Sequence, residues 1–299
     1  MRRSVVLADN LFRNVVRTGA LCMIGITFAI GAFLLWRGSA TFLQYGHSIA
    51  EFLFSANWQP ADTTTGGGHV GAAFFIVGSV LTCAMALLIS TPFSLGAALF
   101  MTEISPKLGK TILQPTVEIF VGIPSVVYGW LGLTILVPFI KELFDLQFGF
   151  SVLAASIVLA VMIFPTITSI AADAIAAVPK SYRQAAYGLG ATRWQVICQI
   201  VLPAAKSGIL TGIVLGLARA FGEALAVAMV IGKTKAFPSS LLSPATNLTS
   251  AIASDMGGAM EGGEYNMALW TMALLLFIIA AMCIVTIHLT GTTKKGGHA

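Results

Sequence analysis

Apolar residues in this chain gather into long runs, with few of the polar positions that would give a soluble helix or strand its second face. A helix needs about 20 such residues to cross roughly 30 Å of hydrocarbon. Six stretches qualify, near residues 18–36, 71–91, 116–140, 150–172, 208–232 and 268–289. They predict an all-α membrane protein with six spans. Arg2, Arg3, Arg13 and Arg17 ahead of the first run also suit a cleaved signal peptide. Five further spans make removal of an anchor an unneeded assumption, so the run is kept as span one. The 37–70 segment leaves the membrane at Trp36, carries Glu51 and Asp62, and ends in Thr63-Thr64-Thr65-Gly66-Gly67-Gly68, which reads as a flexible loop. The 233–267 segment reads alike, broken by Pro238 and Pro244 and loosened by Gly257, Gly258, Gly262 and Gly263, beside Asp255, Glu261 and Glu264. Asn247-Leu248-Thr249 fits a glycosylation sequon, though so short a pattern usually arises by chance. No internal repeat is evident.

Composition makes the lipid assignment unavoidable. Apolar residues are 57% without the 30 glycines, and charged residues 10%, against about 25% in a soluble domain. Too little polar surface exists to wrap so large a core. The net charge of +5 raises a nucleic-acid reading, which the distribution of charge removes. The N-terminus, the 92–115 and 173–207 loops and the C-terminus hold Arg2, Arg3, Arg13, Arg17, Lys107, Lys110, Lys180, Arg183, Arg193, Lys206, Lys294 and Lys295. The other three loops hold Arg37, Lys141, Lys233 and Lys235. Basic residues are retained on the cytoplasmic side. Both termini are therefore expected in the cytoplasm, and the excess is a topology signal.

Most familiar chemistry has no residues to carry it. Cys22, Cys83, Cys198 and Cys283 share no metal-ligand or redox spacing and read as small hydrophobes. His47, His69, His288 and His298 are scattered without a His-x-x-x-His or Glu-x-x-His pairing, so no metal site is expected. Gly109-Lys110-Thr111 and Gly232-Lys233-Thr234 lack the earlier glycine of a phosphate-binding loop, which falls at Ile104 and Val227. If ATP drives this protein, another chain binds it.

The stretch between spans four and five carries the most information. Pro179 precedes good helix formers, Gly188 and Gly190 follow, and a second helical run ends at Pro203. This predicts a cytoplasmic helix–turn–helix on which the small Ala185 and Ala186 admit a close partner surface, or simply an amphipathic interfacial loop. Ala185-Ala186, Gly190, then Ile200-Val201-Leu202-Pro203 resembles the EAA loop of ABC-importer permeases. In that family the segment contacts the ATPase. The family's acidic residue is here Gln184, which removes a salt bridge at that position and leaves helix docking intact.

The likeness extends over most of the chain. Gly122-Ile123-Pro124-Ser125-Val126-Val127-Tyr128-Gly129, Phe164-Pro165-Thr166-Ile167-Thr168 and Ala218-Arg219-Ala220-Phe221-Gly222-Glu223-Ala224 resemble the phosphate-specific importer permeases. Ala-Leu-Ala-Val-Ala-Met-Val after Glu223, and Asn247 to Ala253, are closer to the PstC type. The resemblance implies a type I permease fold with a coupling helix and a PstA-type sister permease as heterodimer. It also implies two PstB-type ATPase subunits holding the ATP and Mg, and a PstS-type extracytoplasmic phosphate-binding protein.

Arg219 and Glu223 stand out on physical grounds alone. An ionised residue at mid-bilayer costs at least about 2.5–3.5 kcal/mol, so such residues face an interior or a water path. At i and i+4 in one helix the two neutralise each other, or Arg219 offers a two-pronged donor to a passing oxyanion while Glu223 steadies it. Gly208, Gly212 and Gly216 form a packing stripe toward a partner permease or a neighbouring span. Pro124 and Pro165 free carbonyls inside spans three and four, and broken helices mark transport paths. Ser125, Thr166 and Thr168 beside them either line the path or bond back to their own helices. The expectation is an ATP-driven phosphate-importer permease that is not itself an enzyme. An importer of another oxyanion or phosphonate, an ATPase-independent transporter and a membrane enzyme compete with it.

Overall fold

A computed structural model describes residues 2–292, with side chains placed for 12–287. Lys294, Lys295 and His298, and the side chains of Arg2, Arg3 and His288, lie outside the described residues. Among the described residues six helices are long and apolar enough to cross a membrane: Phe12–Leu43, Ala73–Ile104, Ser125–Leu143, Val152–Ala176, Arg193–Gly222 and Glu264–Ile287. Span four is the most buried of them, with spans two and five packed along it. Span one leans on span six, where Phe33 meets Trp270 edge-on at 5.2 Å and the Thr41 and Thr271 hydroxyls lie 2.7 Å apart. The end of the bundle bearing residues 180–203 is the loop end, and the opposite one the cap end.

The glycine stripe finds its neighbour within the chain. A Cβ at Gly208 would stand 2.4 Å from Ala174 Cβ, one at Gly212 3.2 Å from Ile170 Cβ, and one at Gly216 2.7 Å from Ile167 Cγ1. All three belong to span four. Absent side chains let the two backbones approach closely and seat Ile167 and Ile170 in the gaps.

Several boundaries differ from those read in the sequence. Span two runs on to Ile104, and the segment 92–115 is helical almost throughout, broken at Ser105. Span three is preceded by a separate helix, Gln114–Gly122, and begins only after Ile123-Pro124. The helix from Arg193 passes through Pro203, where the sequence read an ending, and stops at Gly222, short of the expected 232. A short helix, Leu225–Val230, follows. Pro165, expected to break span four, sits inside uninterrupted helix, as does Pro92 in span two. Among the described residues the π-helical turns are Phe100–Ile104, Gly109–Leu113, Gly132–Leu136 and Ile197–Val201. Each ends two residues before a proline, at Pro106, Pro115, Pro138 and Pro203. A π-turn leaves a carbonyl without its helical donor and proline lacks a donor, so the two irregularities fall together and the helical path survives.

The cap end is folded where the sequence predicted loose loops. It holds the helix Ile49–Phe54, an antiparallel pair of strands Trp58–Gln59 and His69–Val70, and the helix Leu248–Asp255. Phe52, Phe74, Phe75, Leu248 and Leu269 are fully buried there, and Trp58 meets Phe75 edge-on at 5.1 Å. Asn247, first residue of the sequon, is buried and caps the helix Leu248–Asp255 by accepting from the Ser250 N–H. It serves the fold rather than a glycan.

Candidate functional site

The two ionisable residues at the end of span five do not pair. Gly222 terminates the helix and Glu223 adopts extended backbone, φ −77° and ψ 120°, so the i, i+4 geometry is lost. Glu223 Oε1 accepts from the Ala226 N–H at 3.2 Å, and its carbonyl accepts from Thr249 Oγ1 at 2.8 Å. The carboxylate therefore starts the helix Leu225–Val230. Arg219 Nη1 donates to Thr166 Oγ1 on span four at 2.9 Å. Among the described residues Arg219 forms no ion pair. A half-buried guanidinium with five donors, given one hydroxyl as partner, keeps most of its donors for something else.

Two interrupted helices meet beside this arginine. Tyr128, one turn into span three, reaches back over the Pro124 break to donate to the Phe120 carbonyl at 2.8 Å. Gly129 lies so close to the helix Leu225–Val230 that a Cβ there would be 2.8 Å from Ala226 Cα. The polar residues expected near the breaks are brought together in part. Thr166 holds Arg219, Ser125 opens span three half-buried, and Thr168 is buried with its hydroxyl unpartnered. Ser169 and Asp173, missed in the sequence, continue from Thr166 along span four at i+3 and i+7, which is one helical face. They line a cleft of about 360 Å³ toward the loop end with Lys110, Gln114 and Glu118. Their spacing was the available signal.

At the loop end, the helix Lys180–Gly188 turns at Gly190, whose φ of +83° favours glycine, into a capping box at Thr192 and Gln195. Gln184, Ala185 and Gly190 are exposed, as is Pro203, with Leu202 partly so. Ala186 instead packs among Ala98, Ala171, Val196 and Ala205 of its own chain, so its smallness serves that core and not a partner surface. The exposed face carries large apolar side chains the sequence reading passed over: Leu189 at 90%, Trp194 at 66%, Tyr182 and Tyr187.

The cap end gathers acids and histidines from far apart in the sequence. Glu264, at 0% side-chain exposure, accepts from the N–H groups of Ala61, Gly67 and Gly68 at 2.6, 3.1 and 3.0 Å and pairs with His47 Nε2 at 2.7 Å. Glu51 pairs with His47 Nδ1 at 3.2 Å and His69 Nδ1 at 3.3 Å, so two of the histidines read as scattered share one carboxylate. Burial works against a charged His47, but its hydrogen bonds to Glu264 and Glu51 outweigh that and raise its pKa above the ordinary histidine value. For Glu51, burial pushes the carboxyl up, while hydrogen bonds from His47 and His69 hold it below the ordinary carboxylate value.

The family profile described as binding-protein-dependent transport system inner membrane component matches residues 90–291. A probable ABC transporter permease protein, YqgH of Bacillus subtilis strain 168, is 47% identical over 283 residues, covering 95% of this chain and 91% of its own. The phosphate transport system permease protein PstC of Pasteurella multocida strain Pm70 is 35% identical over 295 residues, covering 92% and 89%. Among solved structures, a bacterial alginate ABC transporter, in complex with its alginate pentasaccharide-bound periplasmic protein, aligns with a TM-score of 0.62 at 17% identity. That alignment covers 95% of this chain and 96% of the other. The methionine transporter MetNI in an inward-facing conformation aligns at 0.52 and 20% identity over 74% of this chain and 94% of its own. These last two speak for the fold, that of type I importer permeases. With six apolar spans in that fold and curated permeases matched along nearly its whole length, the chain belongs to the binding-protein-dependent transport system inner membrane components, the multi-pass permeases of ABC transporters.

Proposed function

We propose that this chain is the PstC-type permease subunit of an ATP-driven importer of inorganic phosphate. The observation that carries the reading is Arg219, held at the break of span five by one threonine and free of any carboxylate partner among the described residues. Phosphate offers the oxygens such a fork takes in pairs. Thr166 positions the guanidinium and Ser125 adds a hydroxyl along the path, while Thr168, two residues on and fully buried, faces away from Thr166. Glu223, four residues on, supplies a negative charge that keeps the anion from binding too tightly to leave. The PstC relatives, 35% identical or less, support phosphate as the cargo.

The cap end faces the outside and receives phosphate from an extracytoplasmic PstS-type binding protein. Both termini and the 180–203 loop are cytoplasmic. A PstA-type sister permease completes the pathway as a heterodimer, and two PstB-type subunits bind the ATP and Mg. They dock on the face that presents Gln184, Ala185, Leu189 and Trp194, while Ala186, Gly190, Leu202 and Pro203 set that face's shape. Closure of the ATPases pulls on the loop and tilts spans four and five together, since the glycine stripe locks the two. The test is ATP hydrolysis by the reconstituted complex with binding protein, on addition of phosphate, sulfate or an alkylphosphonate. Phosphate is expected to stimulate most. A larger response to another anion overturns the cargo, and a complex that carries no ATPase overturns the importer.

A further inference from the structure

We propose that Glu103 is a positioning residue that makes span two move with the docked loop. The inference rests on the reading of residues 180–203 as the ATPase-docking segment. Chain connectivity ties that segment only to spans four and five, through 177–179 on one side and the helix from Arg193 on the other. Glu103 adds a third attachment. Arg183 on the loop helix donates from Nε and Nη2 to Glu103 Oε1 at 3.1 and 2.6 Å. Its remaining reach goes to the carbonyls at the end of span four, Val178 O from Nη1 at 2.5 Å and Ile175 O from Nη2 at 2.9 Å. Arg193, beyond the Gly190 turn, donates to the carbonyls of Glu103 and Ile104, the latter at 2.8 Å. Both limbs of the loop are thus fastened to the last turn of span two.

The surroundings explain why this link matters. The loop helix meets the spans in an apolar cluster, with Ala98, Ala171 and Ala186 beside the larger Ile175, Val178 and Val196. Apolar contact is non-directional and by itself sets no fixed register against sliding. The forked pair between Arg183 and Glu103, with side chains 17% and 12% exposed, is the directional element that resists it. Span two in turn packs along span four, which also carries the residues that seat the glycine stripe of span five. A pull on the loop that reached span four but not span two would shear that interface. With Glu103 in place the three spans carry the load together. The carboxylate at this node belongs to span two and bonds within the chain.

The complex with its sister permease and ATPases, in proteoliposomes with binding protein, tests the inference. Anion taken up per ATP hydrolysed is measured for wild type, Glu103→Gln and Glu103→Leu, together with ATPase co-purification and thermal melting. Glu103→Leu keeps the volume and removes the Arg183 attachment, leaving Arg193 on the backbone carbonyls, so uptake per ATP should fall about tenfold with the ATPases still bound. Glu103→Gln keeps an acceptor for Arg183 and should fall between. An unchanged ratio in an assembled Glu103→Gln complex overturns the proposal. A parallel fall of uptake and hydrolysis overturns it too, since a merely structural residue lowers both together. Failure of the phosphate reading looks different: wild type then responds to another anion, and the same ratio is read with that anion.

Discussion

Glu264 at the cap end and Glu103 at the loop end are both carboxylates shielded from water, and they are held in contrasting ways. Glu264 is closed in by three backbone N–H groups and a histidine, and Gly66 and Gly68 sit so near its oxygens that a Cβ would lie 3.2 and 2.6 Å from one. Its partners are backbone, fixed in place by the fold. The Glu103 carboxylate is held by the Arg183 side chain, and its backbone carbonyl by Arg193 from the other side of the Gly190 turn. Those partners ride on a segment built to be moved. Backbone cradles make an anchor, and side-chain forks make a joint that holds while its two parts shift as one.

That contrast sets the order of expected effects. The largest is Glu264→Ala, which strands three backbone donors and His47 in a buried site and should cost about 3–5 kcal/mol, read as a loss of melting temperature in detergent. A loss below that of Glu103→Leu would break the comparison. Next comes Gly208→Ala, which places a methyl 2.4 Å from Ala174 Cβ and should cost about 1–3 kcal/mol by prising spans four and five apart near the loop end. The same substitution at Gly188, where a Cβ meets nothing, should leave melting unchanged.

The smallest effect is a pH dependence confined to the cap. His47 has a raised pKa, so its contribution is complete below the ordinary histidine range and is lost as pH rises through the raised value. Glu51 has a lowered pKa, so its contribution is present above the ordinary carboxylate range and is lost as pH falls through the lowered value. The cap should be firmest in mildly acidic solution. Melting followed against pH should show the alkaline decline in wild type and not in His47→Gln; an equal decline in both would remove His47 from the account.

How much of this was readable beforehand depends on how local each signal is. Apolar runs announce spans because every residue of a span contributes, and the lone guanidinium at 219 was conspicuous against them. Where span five ends was misread because Leu225 to Val230 is apolar too, although Gly222 carried a stop signal. The glycine run at 66–68 looked loose because the carboxylate it wraps lies almost 200 residues on, at 264. Glu103 was hidden in the same way, with Arg183 80 positions away. Prolines misled only in part: Pro124 breaks its helix as expected, while Pro165 sits inside continuous helix and Pro203 follows a π-turn that absorbs it.

One measurement reaches the centre of the account. Phosphate uptake by the reconstituted complex, wild type against Arg219→Ala, separates an arginine that meets the anion from one that merely packs on Thr166. With assembly and melting unchanged, uptake should fall at least about a hundredfold, the scale of losing a charged, two-pronged contact. Normal uptake by Arg219→Ala would contradict the proposed pathway and return Arg219 to a structural part.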